Sequence, residues 1–431
     1  MKIRLSIFFY LVVIVGTIGF PVLATTTAAV GIDNTLPSIV MRTAGLVAAM
    51  ILVVKLPLET SIRFAMLPML LTMFWAVYLA RLFNDTHFFR DALAFDSSKY
   101  WIFALGASFI PMMSLVAYRG KVNFDSLLKF VFVFCLVFLP IALALSSTIR
   151  ISEAGVAYYT GRSELPSLNP ISFGQFGGVL VIISYWALRM RGLNRLNLLL
   201  LLVGLAIGTY CLMASGSRGP LVAVFVTLIV FEVTRKNAVP VLLGAMLLIM
   251  FMATIIGVMA AVIGDEFLLL FSKIDEVLGI SLLSRFATLF QLSDASSSAR
   301  VQLFFISLDQ FLDHPLIGDF IEVREPTDYP YPHNIVLEAL IATGLLGTIP
   351  LLIVLGLAFK ASLFVIRNIP SCGWVSLLFL QQLVAVQFSG NIYGSSTFWV
   401  ALGLLVVTTH SRPMQAKSHL DFATGDTPQT Q

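Results

Sequence analysis

Long runs of apolar residues alternate with short polar segments along almost the whole chain. A helix that crosses a lipid bilayer needs about 20 consecutive apolar residues, because each residue adds only about 1.5 Å. The pattern therefore predicts an all-α, polytopic integral membrane protein with about twelve transmembrane helices. We place these spans at roughly 5–23, 37–54, 64–80, 100–117, 127–146, 171–188, 196–214, 220–234, 239–263, 345–363, 373–389 and 396–410.

The spacing of the spans divides the chain into four parts. Residues 1–263 are predicted to form an N-terminal membrane domain of about nine spans, and residues 264–344 a long loop with amphipathic helices on the outer side of the membrane. Residues 345–410 hold the C-terminal spans, and the polar stretch 411–431 is predicted to be a disordered cytoplasmic tail. The first apolar run also resembles a signal peptide, but we interpret it as a retained span.

Composition supports this class and excludes others. Of the 431 residues, 58% are hydrophobic and only 12% are charged, whereas soluble domains carry about 25% charged residues. The mean hydropathy is +0.94. A net charge of +4 is too small to indicate nucleic-acid binding. The three cysteines all fall inside predicted spans, so they predict neither a disulfide framework nor a metal site.

The distribution of lysine and arginine predicts the orientation of the spans, because short cytoplasmic loops are enriched in both residues. With the N-terminus inside, 15 of the 27 basic residues fall on cytoplasmic segments, and both termini are cytoplasmic. The outer segments are then 81–99, 147–170, 215–219 and 264–344. Between residues 264 and 334, eleven acidic residues face four basic ones, so an arginine that binds an anion there has to be placed specifically.

Arg218 stands in the sequence SGSRGP, just before the apolar run 221–234. Gly216 and Gly219 favour a tight turn, and Pro220 suits the first position of a helix, so Arg218 is expected at the helix N-terminus. A cation at a helix N-terminus costs about 0.3–1 kcal/mol. An anion held between the exposed N–H groups and the guanidinium would make the free energy of this arrangement favourable. Arg218 is therefore a candidate anion ligand, and an interfacial arginine that snorkels to the lipid headgroups is the alternative.

Arg300 is placed in the same way at the start of a predicted helix. Ser296, Ser297 and Ser298 are available as N-caps, and His314-Pro315 ends the pattern. We predict an amphipathic helix of about four turns that lies along the outer leaflet, with Arg300 in its first turn. A solvated surface charge is the alternative reading of Arg300. The apolar positions that predict the helix are Val301, Phe304, Phe305, Leu308, Phe311 and Leu312.

His333 opens the pattern HNIVLEALIATGLLG. Pro332 biases Tyr331 to an extended conformation, which predicts a sharp loop-to-helix junction at His333. Because imidazole titrates near neutral pH, His333 is a candidate general base, with a purely structural histidine as the alternative. Asn334 and Glu338 are four residues apart on one helix face and are candidates for supporting residues.

Several kinds of site have no motif in this sequence. We find no Asp-X-Asp pair for a metal on a nucleotide sugar, no glycine-rich nucleotide loop and no Cys/His cluster. The sequence therefore predicts no metal and no cofactor.

Three motifs, SGSRG, SSSAR…DHPLIGDF and YPHNIVLEALIATGLLG, occur in this order and are separated by these spans. Together they resemble the bacterial O-antigen ligase/polymerase family of polytopic inner-membrane glycosyltransferases, most closely over residues 204–347. The resemblance implies transfer of a saccharide from undecaprenyl pyrophosphate to an acceptor sugar hydroxyl on the periplasmic side of the membrane. The acceptor is lipid A core for a ligase and a growing polysaccharide for a polymerase. Neither nucleotide sugar nor metal takes part.

The resemblance also implies roles for individual residues. His333 matches the family's histidine and would be catalytic, while Arg218 and Arg300 match its arginines and would bind the pyrophosphate. Ser217 lies beside Arg218 in the first motif, and Arg162 is a weaker match to an upstream arginine that precedes an Asn-Pro pair. Direct attack by the acceptor opposite the leaving group implies inversion at the anomeric carbon. One departure concerns the HPLIG phrase, which is followed here by Asp-Phe where the family often has another glycine.

Two other classes are alternatives to an enzyme. A transporter or flippase of lipid-linked saccharide needs charged or broken-helix features near the bilayer midplane, and only Arg42 is predicted to lie deep. A non-catalytic envelope assembly component would tolerate alanine at Arg218, Arg300 and His333.

Overall fold

A computed structural model describes residues 5–31, 35–55, 62–118, 120–145, 147–151, 157–164, 170–190, 194–236, 273–274, 295–325 and 330–410. Helices account for most of these residues, and π-helical segments join α1 to α2 (Val15–Gly19) and α5 to α6 (Ile102–Phe109). The helices are α1 Leu5–Ile14, α2 Phe20–Val30, α3 Thr35–Lys55, α4 Ile62–Phe88, α5 Ser97–Trp101, α6 Ile110–Ala117, α7 Phe124–Leu145, α8 Pro170–Met190, α9 Arg195–Ala214, α10 Arg218–Lys236, α11 Ala295–Asp313, α12 Ile335–Asn368, α13 Gly373–Ala385 and α14 Ser396–His410.

In the described part of the chain, seven helical segments are long and apolar enough to cross a membrane. They become eight if Leu5–Gly19 and Pro21–Thr27, which meet at a 54° bend, form one span. The helical membrane architecture is therefore confirmed, but the predicted count of about twelve is not. The predicted span 220–234 is helical as part of α10, which is not among the seven, and 239–263 lies outside the described residues. The last two predicted spans are the shorter helices α13 and α14.

The prediction of an all-α fold missed a small antiparallel hairpin. Strands β1 (Ser147–Ile151) and β2 (Ala157–Glu164) pair within the predicted outer loop 147–170, with Ile149 opposite Tyr159. The strands are rich in β-branched and aromatic residues, which favour extended backbone. Their length of five and eight residues is too short to show in a search for apolar spans.

Glycines bring α8 and α9 into close contact. A Cβ atom on Gly177 would lie 2.8 Å from the backbone nitrogen of Leu212, and one on Gly208 would lie 2.8 Å from the carbonyl oxygen of Gly177. Helices in membranes associate through such small residues, because no hydrophobic effect draws them together in lipid. The close packing holds α8 and α9 antiparallel and places the α9–α10 turn beside Gly174, near the start of α8.

The opposite end of the same helices is joined by polar contacts. Arg189 at the end of α8 forms a two-pronged ion pair with Glu232 of α10, at 2.9 and 3.0 Å. Arg367 of α12 donates to the carbonyl oxygen of Thr234 at 3.2 Å. Arg189 and Arg367, which the predicted spans place on inner segments, lie at the end of the bundle away from the α9–α10 turn. Which end faces outward stays a prediction of the charge rule.

Helix α12 is broken at Gly344, which has φ +58°. The break leaves backbone N–H groups without helical partners, and those of Leu345 and Leu346 donate to the carbonyl oxygens of Pro315 and Leu316 at 2.8 and 3.0 Å. The loop after α11 is therefore fixed inside the kink of α12. The kink divides α12 close to the predicted start of a span at residue 345.

Arg81 of α4 completes this junction. Its guanidinium donates to the carbonyl oxygens of Ile317, Gly318 and Ala342 at 3.1, 2.8 and 3.2 Å. Gly318 has φ +72°, and a Cβ there would overlap the backbone of Ala342. Gly318 ends the HPLIG phrase and stands just before the Asp-Phe pair that departs from the family pattern. Its turn is left-handed and is held between α4 and α12.

We expect Gly344→Ala to destabilise the protein and Gly356→Ala, in the same helix, to leave it unchanged or slightly more stable. A side chain at residue 344 would be strained and would overlap the backbone of Leu316 and Gly318, whereas a Cβ at Gly356 meets nothing within 4 Å. Left-handed strain and overpacking together predict a loss of about 2–5 kcal/mol. Thermal unfolding of both purified variants in detergent measures the difference. Equal Tm values for Gly344→Ala and the parent protein would contradict the kink.

Candidate functional site

His333 occupies a strained position at the start of α12. Its φ is +57°, and it is the one non-glycine residue with positive φ in the part of the chain that the structure describes. Such a conformation costs about 1–3 kcal/mol and is kept only where neighbouring contacts impose it. The ring of Tyr331 packs edge-on against the His333 ring, with centroids 4.7 Å apart. The sharp loop-to-helix junction expected after Pro332 is present.

Asn334 explains how the chain leaves this strained turn. Its side-chain oxygen accepts hydrogen bonds from the backbone N–H groups of Val336 and Leu337, both at 3.0 Å. Asn334 is therefore the N-cap of α12, a role for which asparagine is among the preferred residues. The cap fixes the direction of the helix and, with it, the direction in which the preceding His333 turns.

The start of α12 is also tied to the end of α13. The N–H of Ile335 donates to the carbonyl oxygen of Val386 at 3.1 Å, and the Asn334 side-chain amide donates to that of Gln387 at 3.4 Å. These two contacts place His333 beside the segment that joins α13 to α14.

Glu338 supports the same segment from within α12. Its buried carboxylate accepts two hydrogen bonds from the backbone N–H of Ile392, at 3.0 and 2.9 Å. The Glu338 backbone N–H donates to the carbonyl oxygen of Asn334 at 2.9 Å, so these two residues share a helix face as expected. Glu338 therefore shapes the region through the α13–α14 connection.

Arg218 is the first residue of α10, as the sequence predicts, and its side chain is half-exposed. The turn before it is closed by Ser215, whose hydroxyl oxygen accepts from the N–H of Ser217 at 3.2 Å. Ser217 is buried, and its own hydroxyl donates to the Ser215 carbonyl oxygen at 3.3 Å. Ser217 therefore holds the turn that presents Arg218.

The turn of Arg218 lies close to the surroundings of His333. A Cβ on Gly219 would lie 3.5 Å from the Cβ of Phe388, and Phe388 follows Gln387, the residue to which Asn334 donates. Arg218 and His333 are therefore at the same end of the bundle, on either side of the α13–α14 connection.

Arg300 lies on α11 and is exposed. It is the sixth residue of the helix Ala295–Asp313, hence in the second turn, so the prediction of a first-turn position was wrong. The unfavourable helix dipole falls off within the first turn and does not act strongly on Arg300. Burial and, second, the positive charge of Arg300 lower the pKa of His333 to about 4.

Helix α11 ends at Asp313, where His314-Pro315 predicted its end. Its buried side is formed by Leu303, which packs with Val323 and Ile341. Of the residues that predicted an amphipathic helix, Phe311 packs against this cluster and Leu308 is half-buried, while the other four form an outward-facing apolar surface. Contact of this surface with the outer leaflet stays a prediction. These four are Val301, Phe304, Phe305 and Leu312, which are 49–60% exposed.

The acidic residues near the site are buried and bonded, which the sequence did not predict. Asp319 pairs with Arg324 at 2.7 Å. Glu322 accepts from the N–H of Ala94 at 3.0 Å and from the hydroxyl of Tyr100. Their negative charge is therefore directed into protein contacts and not toward Arg300.

A further acid, Asp85 of α4, was missed altogether. Its carboxylate accepts from the backbone N–H of Ile321 at 2.9 Å. The available signal was the pair Arg81 and Asp85, one helical turn apart at the polar end of an apolar span.

Arg162, the weakest candidate, lies on β2, and β2 contacts α8. Its side chain lies outside the described part of the structure, so the prediction for Arg162 stays untested. The contacts given above link the segments that carry Arg218, Arg300 and His333.

A known protein family matches the part of the chain that carries the candidate site. Residues 200–352 match the family model described as O-antigen ligase. This segment includes α10, α11, the strained turn and the first half of α12, and with them Arg218, Arg300 and His333. The resemblance seen in the three motifs is confirmed by this match. No curated protein matches the chain.

We expect the imidazole of His333 to titrate near pH 4 and the Arg300→Gln variant to titrate at a higher pH, between about 4 and 6.5. Removal of the positive charge makes the imidazolium less unfavourable, while burial still disfavours it. The folded protein favours the neutral ring, so this contribution to stability is present above about pH 6.5 and is lost as the pH falls toward 4.

Histidine-selective NMR in detergent measures this titration, with the His333 signal assigned by its loss in His333→Gln. The Arg90→Gln variant is the control, because it removes one exposed cation without a role in the site. A His333 pKa that stays unchanged in Arg300→Gln would show that the two side chains do not interact.

Proposed function

The chain carries an O-antigen ligase domain over residues 200–352, and from that premise we propose that it is a glycosyltransferase of surface polysaccharide synthesis. It moves a saccharide from undecaprenyl pyrophosphate to an acceptor sugar hydroxyl, acting as an O-antigen ligase or as an O-antigen or exopolysaccharide polymerase. The observation that supports this most directly is the strained turn of His333 (φ +57°) within that domain, on whose imidazole the charge of Arg300 also acts.

In this proposal His333 is the general base. A sugar hydroxyl is a poor nucleophile, and its attack is helped by a group that accepts its proton. The lowered pKa keeps the His333 imidazole neutral at physiological pH and thus able to accept a proton. The fixed turn at φ +57° and the Asn334 cap hold the ring in one direction, as general base catalysis requires.

Arg218 and Arg300 stabilise the leaving group. As the anomeric carbon–oxygen bond breaks, negative charge grows on the pyrophosphate, and guanidinium groups pair with phosphate oxygens in a two-pronged geometry. Arg218 also stands at the N-terminal end of α10, where the helix dipole favours an anion. Binding of the diphosphate would offset the cost of placing a cation at that helix end.

We also propose the orientation of the protein in the bacterial inner membrane. The predicted outer segments that contribute to the site, including the turn before Arg218 and the loop before His333, gather at one end of the bundle, while Arg189 and Arg367 lie at the other. The charge rule assigns the first end to the periplasm and both termini to the cytoplasm. A periplasmic site has access to the outer-leaflet form of the lipid-linked donor.

We expect His333→Ala, Arg218→Ala and Arg300→Ala each to lower the transfer rate by about 10²–10³-fold without loss of membrane insertion. The controls are His87→Ala and Arg90→Ala, two exposed residues near one end of α4 that take no part in the site. Purified protein is incubated with lipid-linked oligosaccharide and acceptor, without nucleotide, and the products are separated on gels. Wild-type rates for His333→Ala would refute the base assignment, and no transfer by the parent protein would favour a transporter or an assembly component.

We expect the anomeric configuration at the transferred sugar to be opposite in donor and product. One base and one leaving-group site support direct displacement, which inverts the reacting carbon. NMR coupling constants of the anomeric proton, measured before and after transfer, test this. Retention of configuration would require a covalent or two-step route and would contradict the proposal.

A further inference from the structure

A cavity of about 440 Å³ lies next to the candidate site, within the range of about 300–1,000 Å³ that is usual for small-ligand sites. The two π-helical segments, Val15–Gly19 and Ile102–Phe109, both contribute residues to its wall. Segments of π-helix are frequent at functional sites. Tyr331, whose ring packs against that of His333, also lines the cavity. The cavity therefore begins one side chain away from the proposed base.

Side chains that can both donate and accept hydrogen bonds line this cavity. Gln175 of α8 is half-buried, and Gln382 of α13 is only 5% exposed. Within the described residues, neither side-chain amide makes a hydrogen bond. Buried amides are rarely left without partners, so a ligand that bonds to them would complete the wall. The segment that joins α13 to α14 adds the hydroxyls of Ser389 and Ser395.

The charged groups of the wall already have contacts within the protein. The guanidinium of Arg42 lies 4.1 Å from the ring centre of Phe103 and donates to a serine hydroxyl of its own helix at 3.2 Å. The ammonium of the exposed Lys99 lies 3.4 Å from the ring centre of Phe95, and the charge of Asp96 acts on it. No carboxylate lines the cavity among the residues that the structure describes. The wall therefore suits an uncharged ligand that carries several hydroxyl groups.

The segment that joins α13 to α14 is held in place by three polar contacts. The backbone N–H of Ile392 donates to the carboxylate of Glu338 at 3.0 and 2.9 Å, and the carbonyl oxygen of Ile392 accepts from the indole of Trp399 at 2.8 Å. The hydroxyl of Ser108 donates to the carbonyl oxygen of Tyr393 at 2.7 Å. A wall that is fixed before the ligand arrives loses less conformational freedom on binding.

The position of the cavity distinguishes the acceptor sugar from the donor. In the proposed function, Arg218 and Arg300 bind the diphosphate of the donor, and neither arginine lines the cavity. The acceptor is the substrate whose hydroxyl has to reach the imidazole of His333. Tyr331 contacts that imidazole and lines the cavity, so a sugar bound there lies on the side of the base.

We propose that this cavity is a subsite for an uncharged sugar residue of the acceptor, whose hydroxyls bond to the amides of Gln175 and Gln382. The inference rests on the proposed glycosyltransferase function and names the chemical class of its second substrate. In the transfer, the acceptor hydroxyl gives its proton to His333, and its oxygen forms the new bond to the anomeric carbon. The carrier diphosphate leaves with the electron pair of the broken carbon–oxygen bond.

Direct binding of glycans tests the subsite without any need for transfer. The probes are neutral trisaccharides that end in glucose, galactose or N-acetylglucosamine, measured by saturation-transfer NMR on full-length protein in phosphatidylcholine nanodiscs. We expect at least one probe to bind, and Gln382→Leu and Gln175→Leu each to weaken its binding about two- to tenfold, the effect of one lost neutral hydrogen bond.

The matched control is Gln302→Leu, which changes an exposed glutamine of α11 that does not line the cavity and should keep the parent affinity. Thermal unfolding in the same nanodiscs checks that the variants are folded. Absence of binding by all three probes, or parent affinity in the folded double variant of Gln175 and Gln382, would overturn the subsite.

Transfer kinetics distinguish this inference from the proposed function. We expect Gln382→Leu to raise the KM for the acceptor and to leave the KM for the lipid-linked donor unchanged. A rise in the KM for the donor alone would overturn the acceptor assignment. Unchanged KM values for both substrates in both glutamine variants would overturn the subsite and leave the transferase intact. Probe binding that depends on the two glutamines, without any transfer by the parent protein, would support the sugar subsite and overturn the transferase.

Discussion

Two hydrogen bonds between the start of α12 and the end of α13 determine where the candidate chemistry lies. The N–H of Ile335 and the side chain of Asn334 both donate to carbonyl oxygens just after α13, at Val386 and Gln387. Helix termini leave backbone groups without partners, and in a membrane protein those groups have no water to turn to within the bilayer. Here donors at the start of α12 pair with carbonyl oxygens just after the end of α13. The same contact forces His333 into its left-handed turn and brings it near the turn of Arg218.

The kink of α12, about two and a half helical turns further along, also supplies partners for backbone groups that a helix leaves unsatisfied. Gly344 opens the helix, and the N–H groups it frees are used by the loop after α11, whose carbonyl oxygens are in turn held by Arg81. Helix α11 is thereby fixed relative to α12, and with it Arg300 relative to His333. Acidic residues in the same loop are engaged in protein contacts. A segment rich in acidic residues can therefore lie beside an anion site, because carboxylates that are buried and hydrogen-bonded do not face the ligand.

The sequence was informative where a property is local. Apolar length predicted helices, Pro332 predicted the junction at His333, and Pro220 predicted a helix start two residues after the observed start at Arg218. It was less informative where a property depends on neighbours. The buried face of α11 is set by contact with Val323 and Ile341, which no periodicity within α11 reveals. The partners of Arg81 are more than 230 residues away, and the residues that line the cavity around Arg42 come from many separate helices, so neither could be read from a stretch of chain.

In the function proposed above, a bound donor would change the electrostatics of the site. In the free protein, burial and the charge of Arg300 hold the pKa of His333 near 4, which makes the imidazole neutral but a weak base. A diphosphate paired with Arg300 would cancel much of that positive charge and add negative charge nearby, and both effects raise the pKa of an imidazole. His333 would thus become a stronger base only when the leaving group is in place. Because a base is most effective when its pKa approaches the working pH, the same arginine that stabilises the leaving group would also couple donor binding to activation of the acceptor hydroxyl.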